Sequence, residues 1–121
     1  KGIYVEPEEI AFQRRDEIRA SFLLTVEALL DAGAYVAAAT HDEVLIRETL
    51  RLVRARGLAP EEYELQMLLG VHPEVANRLS GEGHRVRIYV PFGRRWYEYS
   101  LRRLQENPAL AAPRKAAPAL P

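Results

Sequence analysis

Short apolar runs alternate with longer amphipathic segments along the chain, and this alternation limits the possible folds more than any other feature. The amphipathic segments have the 3.6-residue spacing of helices, and the apolar runs have the length of strands. Strands that alternate with helices on short connections pair in parallel, through right-handed crossovers. The four expected strands lie at residues 1–5, 35–39, 63–69 and 85–90.

Local signals place the ends of several predicted helices. A first helix is expected over residues 8–31, after the break at Pro7, with Gly33 as its C-terminal cap. Asp42 is a candidate N-cap for the second helix, and Pro73 suits the first turn of the third. The unbroken apolar run of residues 35–39 predicts a strand buried on both faces.

Two architectures use consecutive strand–helix units: an open doubly wound sheet and a (β/α)8 barrel, of which this chain would be half. None of the turns has the G-x-G-x-x-G pattern typical of doubly wound nucleotide-binding domains. In a barrel, the carboxyl ends of the strands form the rim where sites are built. The unusual residues at those ends are Tyr4, Thr40, His41, Leu68 and Tyr89. We therefore predict an α/β fold of four consecutive βα units with parallel strands, the C-terminal half of a TIM-like barrel.

The polar residues near the strands allow more than one interpretation. Thr40 and His41 could hold a phosphate at a helix N-terminus, or Thr40 could merely help to cap the helix while His41 is exposed. His72 and His84 lie in turns, where solvated side chains are expected, and the histidines lack the spacing of metal ligands. Glu64 alternates with apolar neighbours in the third strand, which favours a polar contact in a barrel core.

The last predicted helix carries a distinctive polar face. Tyr99, Arg102, Arg103 and Glu106 are spaced i, i+3, i+4 and i+7, so they share one side. Adjacent arginines can bind a carboxylate or phosphate bidentately. A solvated face with Arg–Glu pairs is the alternative. Nearby aromatic residues favour a small pocket with a cationic floor.

Composition excludes several classes of protein. The 121 residues have no net charge, with 17 basic and 17 acidic side chains, unlike a typical nucleic-acid-binding domain. The absence of cysteine excludes disulfides and thiolate metal sites. No apolar run reaches the roughly 18 residues of a membrane-spanning helix. The start at Lys1 suggests a piece of a longer polypeptide, and the Pro/Ala-rich residues 109–121 are expected to form a flexible tail.

Five segments, in order, resemble the C-terminal half of the proline dehydrogenase family. They are KGIYVEP (residues 1–7), ATHDE (39–43), YELQMLLG (63–70), RVRIYVPFG (85–93) and WYEYSLRRLQENP (96–108). The resemblance implies a (β/α)8 barrel that binds FAD and oxidises L-proline to Δ1-pyrroline-5-carboxylate, and residues 1–108 would be half of its catalytic domain. It also implies that the last helix lies across the barrel mouth.

The resemblance assigns roles to individual residues. Arg102 and Arg103 would bind the substrate carboxylate. The residues that would wall the proline ring or tie back to the arginines are Leu68, Tyr89, Tyr99, Tyr4 and Glu106. FAD would contact Lys1, Gly2, Ile3, Thr40 and His41, with Ile3 standing where the family usually has alanine. No catalytic base and no metal ligand are assigned.

The same resemblance implies partners. They are L-proline, the N-terminal half of the same barrel and a quinone-type electron acceptor, in a protein that is cytoplasmic or peripheral at a bacterial inner membrane. Two alternatives stay open from the residues alone. One is another barrel enzyme whose phosphorylated substrate takes the arginine pair, and the other is a non-catalytic half-barrel assembly module.

Overall fold

A computed structural model of the chain describes residues 6–106, apart from the side chains of Leu104 and Glu106. The described residues divide into two compact units, residues 6–90 and residues 91–106. The elements are α1 (Arg15–Asp31), β1 (Val36–Ala39), α2 (Glu43–Ala55), β2 (Tyr63–Leu68), α3 (Pro73–Gly81), β3 (Val86–Tyr89) and α4 (Trp96–Glu106). The first six belong to the larger unit, and α4 belongs to the smaller one.

The three described strands form one parallel sheet in the order β1-β2-β3. Val36 pairs with Tyr63 at the start of β1, and Leu68 pairs with Tyr89 at the end of β3. Parallel pairing of consecutive strands is therefore confirmed for β1, β2 and β3. The sheet with its helices is compatible with part of a barrel, and a closed barrel stays a prediction. The expected strand at residues 1–5 and the tail at residues 109–121 lie outside the described residues.

The hydrophobic core lies between one face of the sheet and the helices α1, α2 and α3. Leu65 in the central strand, Val53 in α2 and Leu79 in α3 are each at most 1% exposed. Burial of such a side chain contributes about 1.5–3 kcal/mol. The core also includes Val26, Leu30, Val36, Ala38, Ile46, Leu50, Tyr63, Met67 and Val75. These contacts give the sheet one apolar face that the helices cover.

The second face of the sheet carries the alternate residues of each strand, and we call it the polar face. In β1, Val36 and Ala38 are buried, whereas Ala37 and Ala39 are exposed. The prediction that β1 is buried on both faces is therefore wrong for the described residues. In the register of the sheet, Ala37 pairs with Glu64 and Ala39 pairs with Gln66. The exposed alanines of β1 therefore lie beside polar residues of β2.

The helix ends follow the local signals with one exception. Gly33 has φ 70° just after α1, a left-handed conformation that glycine adopts at low cost. Asp42 caps α2, since its Oδ1 accepts a hydrogen bond from the Val44 amide at 3.0 Å. Pro73 begins α3 as predicted.

The exception is the start of the first helix, which was predicted at residue 8. Helix α1 begins only at Arg15. The Pro7 carbonyl accepts hydrogen bonds from the amides of Ile10 and Ala11, both at 3.1 Å, which closes a separate turn. Gln13 stabilises this turn by donating its side-chain amide to the Glu6 carbonyl at 2.7 Å. The helical spacing of the apolar residues does not reveal this break.

Candidate functional site

The carboxyl ends of the three strands bring four of the predicted site residues to one edge of the sheet. Thr40 and His41 directly follow β1, Leu68 is the last residue of β2, and Tyr89 is the last residue of β3. Leu68 and Tyr89 are partners in the register, so their side chains project from the same face of the sheet. In parallel α/β structures this is the edge at which ligands bind. We call these residues the carboxyl-end cluster.

A hydrogen bond joins two members of the carboxyl-end cluster. The backbone amide of Leu68 donates to Nε2 of His41 at 2.9 Å. A neutral imidazole that accepts at Nε2 carries its proton on Nδ1, so His41 offers an N–H donor there. Burial lowers the pKa of His41, and the charge of His72 lowers it further, which favours this neutral form. Of the two interpretations of His41, full exposure is excluded because the side chain is half-buried and bonded to β2.

The loop from β1 to α2 holds Thr40 and His41 through a network around Asp42. Thr40 Oγ1 accepts from the Asp42 amide at 3.1 Å. The Asp42 carboxylate accepts two hydrogen bonds from Arg19 of α1, at 2.8 and 2.9 Å. The paired Arg19 guanidinium lowers the pKa of Asp42 to about 2, so Asp42 is ionised at neutral pH. Thr40 therefore helps to order the start of α2. This role leaves His41 available to bind a ligand.

Glu64 is at the centre of a second polar cluster, on the polar face of the sheet and below the carboxyl ends. Its side chain is 3% exposed, and Arg87 of β3 binds both of its oxygens at 2.7 Å. Gln66 donates to Glu64 at 2.6 Å, and the Tyr35 hydroxyl donates at 3.0 Å. The Arg87 pair, followed by Gln66, lowers the pKa of Glu64 to about 2. The expected polar contact of Glu64 is thereby confirmed as an ion pair between neighbouring strands.

The Glu64–Arg87 ion pair lies next to the carboxyl-end cluster, on the same face of the sheet. Gln66 precedes Leu68 by two residues, and Arg87 precedes Tyr89 by two, so all four project from the polar face. The Glu64 cluster thus forms the layer next to the Leu68–Tyr89 pair. Sequence alternation indicated the polar character of Glu64, but the identity of its partner Arg87 follows only from the register of β2 and β3.

Helix α4 carries Tyr99, Arg102 and Arg103, three of the residues assigned to the substrate. The guanidinium of Arg103 lies over the Tyr99 ring, 5.1 Å from its centroid, in a cation–π contact. Arg103 is half-buried, whereas Arg102 is exposed. The i, i+4 spacing predicted that Tyr99 and Arg103 share a face, and this is confirmed. The position of α4 over a barrel mouth stays a prediction.

Several assigned residues fall outside what the structure describes. Lys1, Gly2, Ile3 and Tyr4 precede the described range, and the Glu106 side chain is likewise not described. Among residues 6–106, no group of three or more histidines or carboxylates could hold a metal ion. In the same range, no helix is both long enough and apolar enough to cross a bilayer.

One histidine differs from the sequence prediction. His84 was expected to be solvated, yet its side chain is only 9% exposed. Its Nδ1 lies 2.6 Å from the Tyr63 hydroxyl, and its Nε2 is buried, 3.9 Å from a Glu82 carboxylate oxygen. Burial lowers the pKa of His84. The reason for the error is that the turn before β3 returns beside the start of β2, a neighbour that turn composition cannot reveal.

Comparison with known proteins agrees with this architecture. Residues 6–113 match the model of the proline dehydrogenase family. Proline dehydrogenase of Deinococcus radiodurans is 40% identical over 112 residues, which are 93% of this chain and 36% of that protein. Proline dehydrogenase 1 of Bacillus subtilis subsp. natto is 39% identical over 93% of this chain and 37% of its own length.

A further relative, proline dehydrogenase 2 of Bacillus subtilis (strain 168), is 37% identical over 90% of the chain and 36% of its own length. The chain therefore spans just over a third of the length of the curated relatives that it matches. The family match covers nearly the whole chain, including the three strands whose ends form the carboxyl-end cluster. The chain belongs to the proline dehydrogenase family.

Proposed function

We propose that this chain is the C-terminal half-barrel of a flavin-dependent proline dehydrogenase. The reaction is the oxidation of L-proline to Δ1-pyrroline-5-carboxylate, with FAD as the hydride acceptor. The observation that carries the proposal is the convergence of His41, Leu68 and Tyr89 at one sheet edge, linked by the His41–Leu68 hydrogen bond. Family membership supports the class of reaction, and this edge of the sheet supports the proposed location of the site.

The donors at this edge suit a cofactor that carries phosphates and a polyol chain. His41 offers an N–H at Nδ1, and Thr40 offers a hydroxyl group. Both lie beside the N-terminus of α2, whose first amides favour anionic groups. These two residues would hold FAD, together with Lys1, Gly2 and Ile3. When bound, FAD supplies the redox chemistry, and the protein supplies position and electrostatics.

The remaining assigned residues suit proline. Its carboxylate needs a rigid cationic partner, which two adjacent guanidiniums can provide bidentately. The cation–π contact with Tyr99 orients the Arg103 guanidinium in advance. Leu68 and Tyr89 offer apolar surface for a five-membered ring, and Tyr4 and Glu106 would complete the wall. For this arrangement, α4 would lie across the barrel mouth, so that Arg102 and Arg103 face the strand ends.

The roles of these residues are positional. The arginines would bind the carboxylate and orient the substrate, and the aromatic wall would exclude water from the ring. Together they would hold the ring carbon next to the nitrogen at contact distance from the flavin. The N-terminal half of the same barrel would complete the site, and a quinone-type acceptor would take the electrons. The enzyme would be cytoplasmic or peripheral at the bacterial inner membrane.

Arginine-to-lysine substitutions test the carboxylate clamp. In the complete protein, Arg102→Lys and Arg103→Lys should each raise KM for L-proline about ten- to a hundredfold. The reason is that a bidentate fork becomes a point charge, and a charge-assisted contact contributes about 1.5–3 kcal/mol. Arg95→Lys is a matched control, since Arg95 is exposed and precedes α4. A change below about twofold in both variants would remove the pair from the substrate site.

A further inference from the structure

The ion pair between Arg19 and Asp42 differs from a one-point surface pair such as Arg47–Glu48. Arg19 donates Nε and Nη2 to separate oxygens of Asp42, at 2.8 and 2.9 Å. Its side chain is 28% exposed and that of Asp42 is 18% exposed. In contrast, Arg47 makes a single contact with Glu48 at 3.3 Å and is 70% exposed. A two-point contact with little exposure has a defined geometry, which a one-point surface pair lacks.

The Arg19–Asp42 pair connects a helix on the outside of the sheet to the loop that follows β1. Asp42 Oδ1 also accepts from the Val44 amide, so one carboxylate caps α2 and binds α1. The Asp42 amide donates to Thr40 Oγ1, which orders the loop on its other side. His41 lies between these two anchored residues, and its Nε2 accepts from Leu68. The orientation of His41 is thus set from two directions, by the loop and by β2.

We propose that Arg19 is a positioning residue for the FAD site, acting through Asp42 on Thr40 and His41. Arg19 would act through Asp42, which accepts from its Nε and Nη2. The inference rests on the proposed role of Thr40 and His41 as cofactor contacts. It adds that the rigidity of this loop, and hence the orientation of His41 Nδ1–H, depends on a residue of α1.

The main experiment measures FAD affinity and steady-state kinetics separately in the complete protein. Arg19→Met removes the charge and both donors while keeping a long apolar stem. We expect its dissociation constant for FAD, measured by flavin fluorescence with apo-protein, to rise about tenfold. KM for L-proline at saturating FAD should change less than about twofold. Arg19→Lys should recover only part of the affinity, because lysine cannot form the two-point contact.

A second variant separates positioning from loss of the helix cap. Asp42→Asn keeps an oxygen that can cap α2 but removes the charge that Arg19 binds. It should therefore weaken FAD binding at least as much as Arg19→Met. Asp42→Asn also weakens the contact of Asp42 with Arg15 Nη2 at 3.3 Å, so the double variant should be no weaker than Asp42→Asn alone. Additive losses in this cycle would show that Arg19 does not act through Asp42, and would overturn the proposal.

Two controls exclude a general loss of stability and an unrelated charge effect. Leu52→Ala, in the distal part of α2, should lower the unfolding temperature without changing FAD affinity. Arg47→Met, which removes an exposed charge from α2, should leave both the unfolding temperature and the FAD affinity unchanged. If Leu52→Ala weakens FAD binding as much as Arg19→Met at an equal loss of stability, Arg19 has only a structural role.

The companion variant His41→Ala distinguishes failure of this inference from failure of the proposed cofactor contact. Weaker FAD binding in His41→Ala with unchanged binding in Arg19→Met would overturn the role of Arg19 alone. Unchanged binding in His41→Ala would remove His41 from the FAD site, and the role of Arg19 with it. Weaker FAD binding in both His41→Ala and Arg19→Met, together with non-additive losses for Arg19→Met and Asp42→Asn, would support the proposal.

Discussion

Two histidines contact opposite ends of the central strand, and their environments differ in kind. At the carboxyl end, His41 accepts from the main-chain amide of Leu68 at 2.9 Å. At the amino end, His84 meets the hydroxyl of Tyr63 at 2.6 Å, with the two ring centroids 6.1 Å apart. Burial lowers the pKa of both histidines. A shifted pKa therefore does not distinguish the histidine proposed to bind FAD from the one at the amino end.

The positions and hydrogen-bond partners of His41 and His84 do distinguish the two histidines. His41 is adjacent to the N-terminus of α2 and to Thr40, and the neutral tautomer leaves its Nδ1–H directed away from β2 as a donor. His84 packs beside an aromatic side chain, and its Nε2 is buried near Glu82. In barrels, the carboxyl ends of strands carry sites and the amino ends contribute stability. The following predictions test that division between the two ends of β2.

The largest expected effect follows removal of the imidazole at the carboxyl end. In the complete protein, His41→Ala should weaken FAD binding about ten- to a hundredfold, because the proposed donor to the cofactor and the Leu68 contact are lost together. The measurements are flavin content after dialysis and turnover of L-proline. Retention of FAD with unchanged turnover would remove His41 from the site. The matched control is His84→Ala, which should keep its FAD affinity within about twofold.

The same control variant should lower stability. His84→Ala deletes a mostly buried ring and leaves the Tyr63 hydroxyl without its hydrogen-bond partner, at an expected cost of about 2 kcal/mol in the free energy of unfolding. Urea denaturation of the flavin-free protein measures this value. An equal loss of stability in His41→Ala would contradict the division of roles between the two ends.

A smaller effect is expected from a change of one oxygen atom. Tyr63→Phe keeps the buried ring but removes the hydroxyl that bonds His84 Nδ1, so the free energy of unfolding should fall by about 1 kcal/mol. In the double variant with His84→Ala, the two losses should not add, because they break one shared contact. Strict additivity by denaturation would show that the contact contributes nothing to stability.

The lowered pKa of His84 should make the stability of the protein depend on pH. Because the folded state lowers the pKa of His84, unfolding takes up protons below the unfolded value of about 6.5. The stabilisation from neutral His84 is thus complete above that pH and is lost as the pH falls toward the lower folded pKa. His84→Ala should make the free energy of unfolding less dependent on pH below about 6.5. The nearby charges are Arg54, which lowers this pKa, and Glu82, which raises it.

The smallest effect on stability is expected from an exposed ion pair on α2, away from both ends of β2. Arg51 contacts Glu48 one turn away on α2, at 2.9 Å, and its side chain is 66% exposed. Arg51→Ala should change the free energy of unfolding by less than about 0.5 kcal/mol and leave FAD binding unchanged. This variant gives the background against which the effects at either end of β2 are judged.

Much of the local structure follows from the sequence read alone. The parallel order of β1, β2 and β3 came from apolar runs joined by helices, and the Asp42 cap came from residue type and position. The shared face of Tyr99 and Arg103 came from their spacing. The sequence also indicated that Thr40, His41, Leu68 and Tyr89 cluster at the carboxyl ends of strands. The family motifs extended this to residue roles in the proposed site.

Tertiary structure decided the pairings between residues distant in the chain. Arg87 meets Glu64, His84 meets Tyr63, and Arg19 meets Asp42, across 23, 21 and 23 residues respectively. The sequence predicted too early a start for α1 and a solvated side chain for His84, and both predictions are wrong. The physical reason is that caps, turns and periodicity act within a few residues, whereas a side chain's partner depends on which strands and helices become neighbours. Register and packing set those neighbours, and no local pattern contains them.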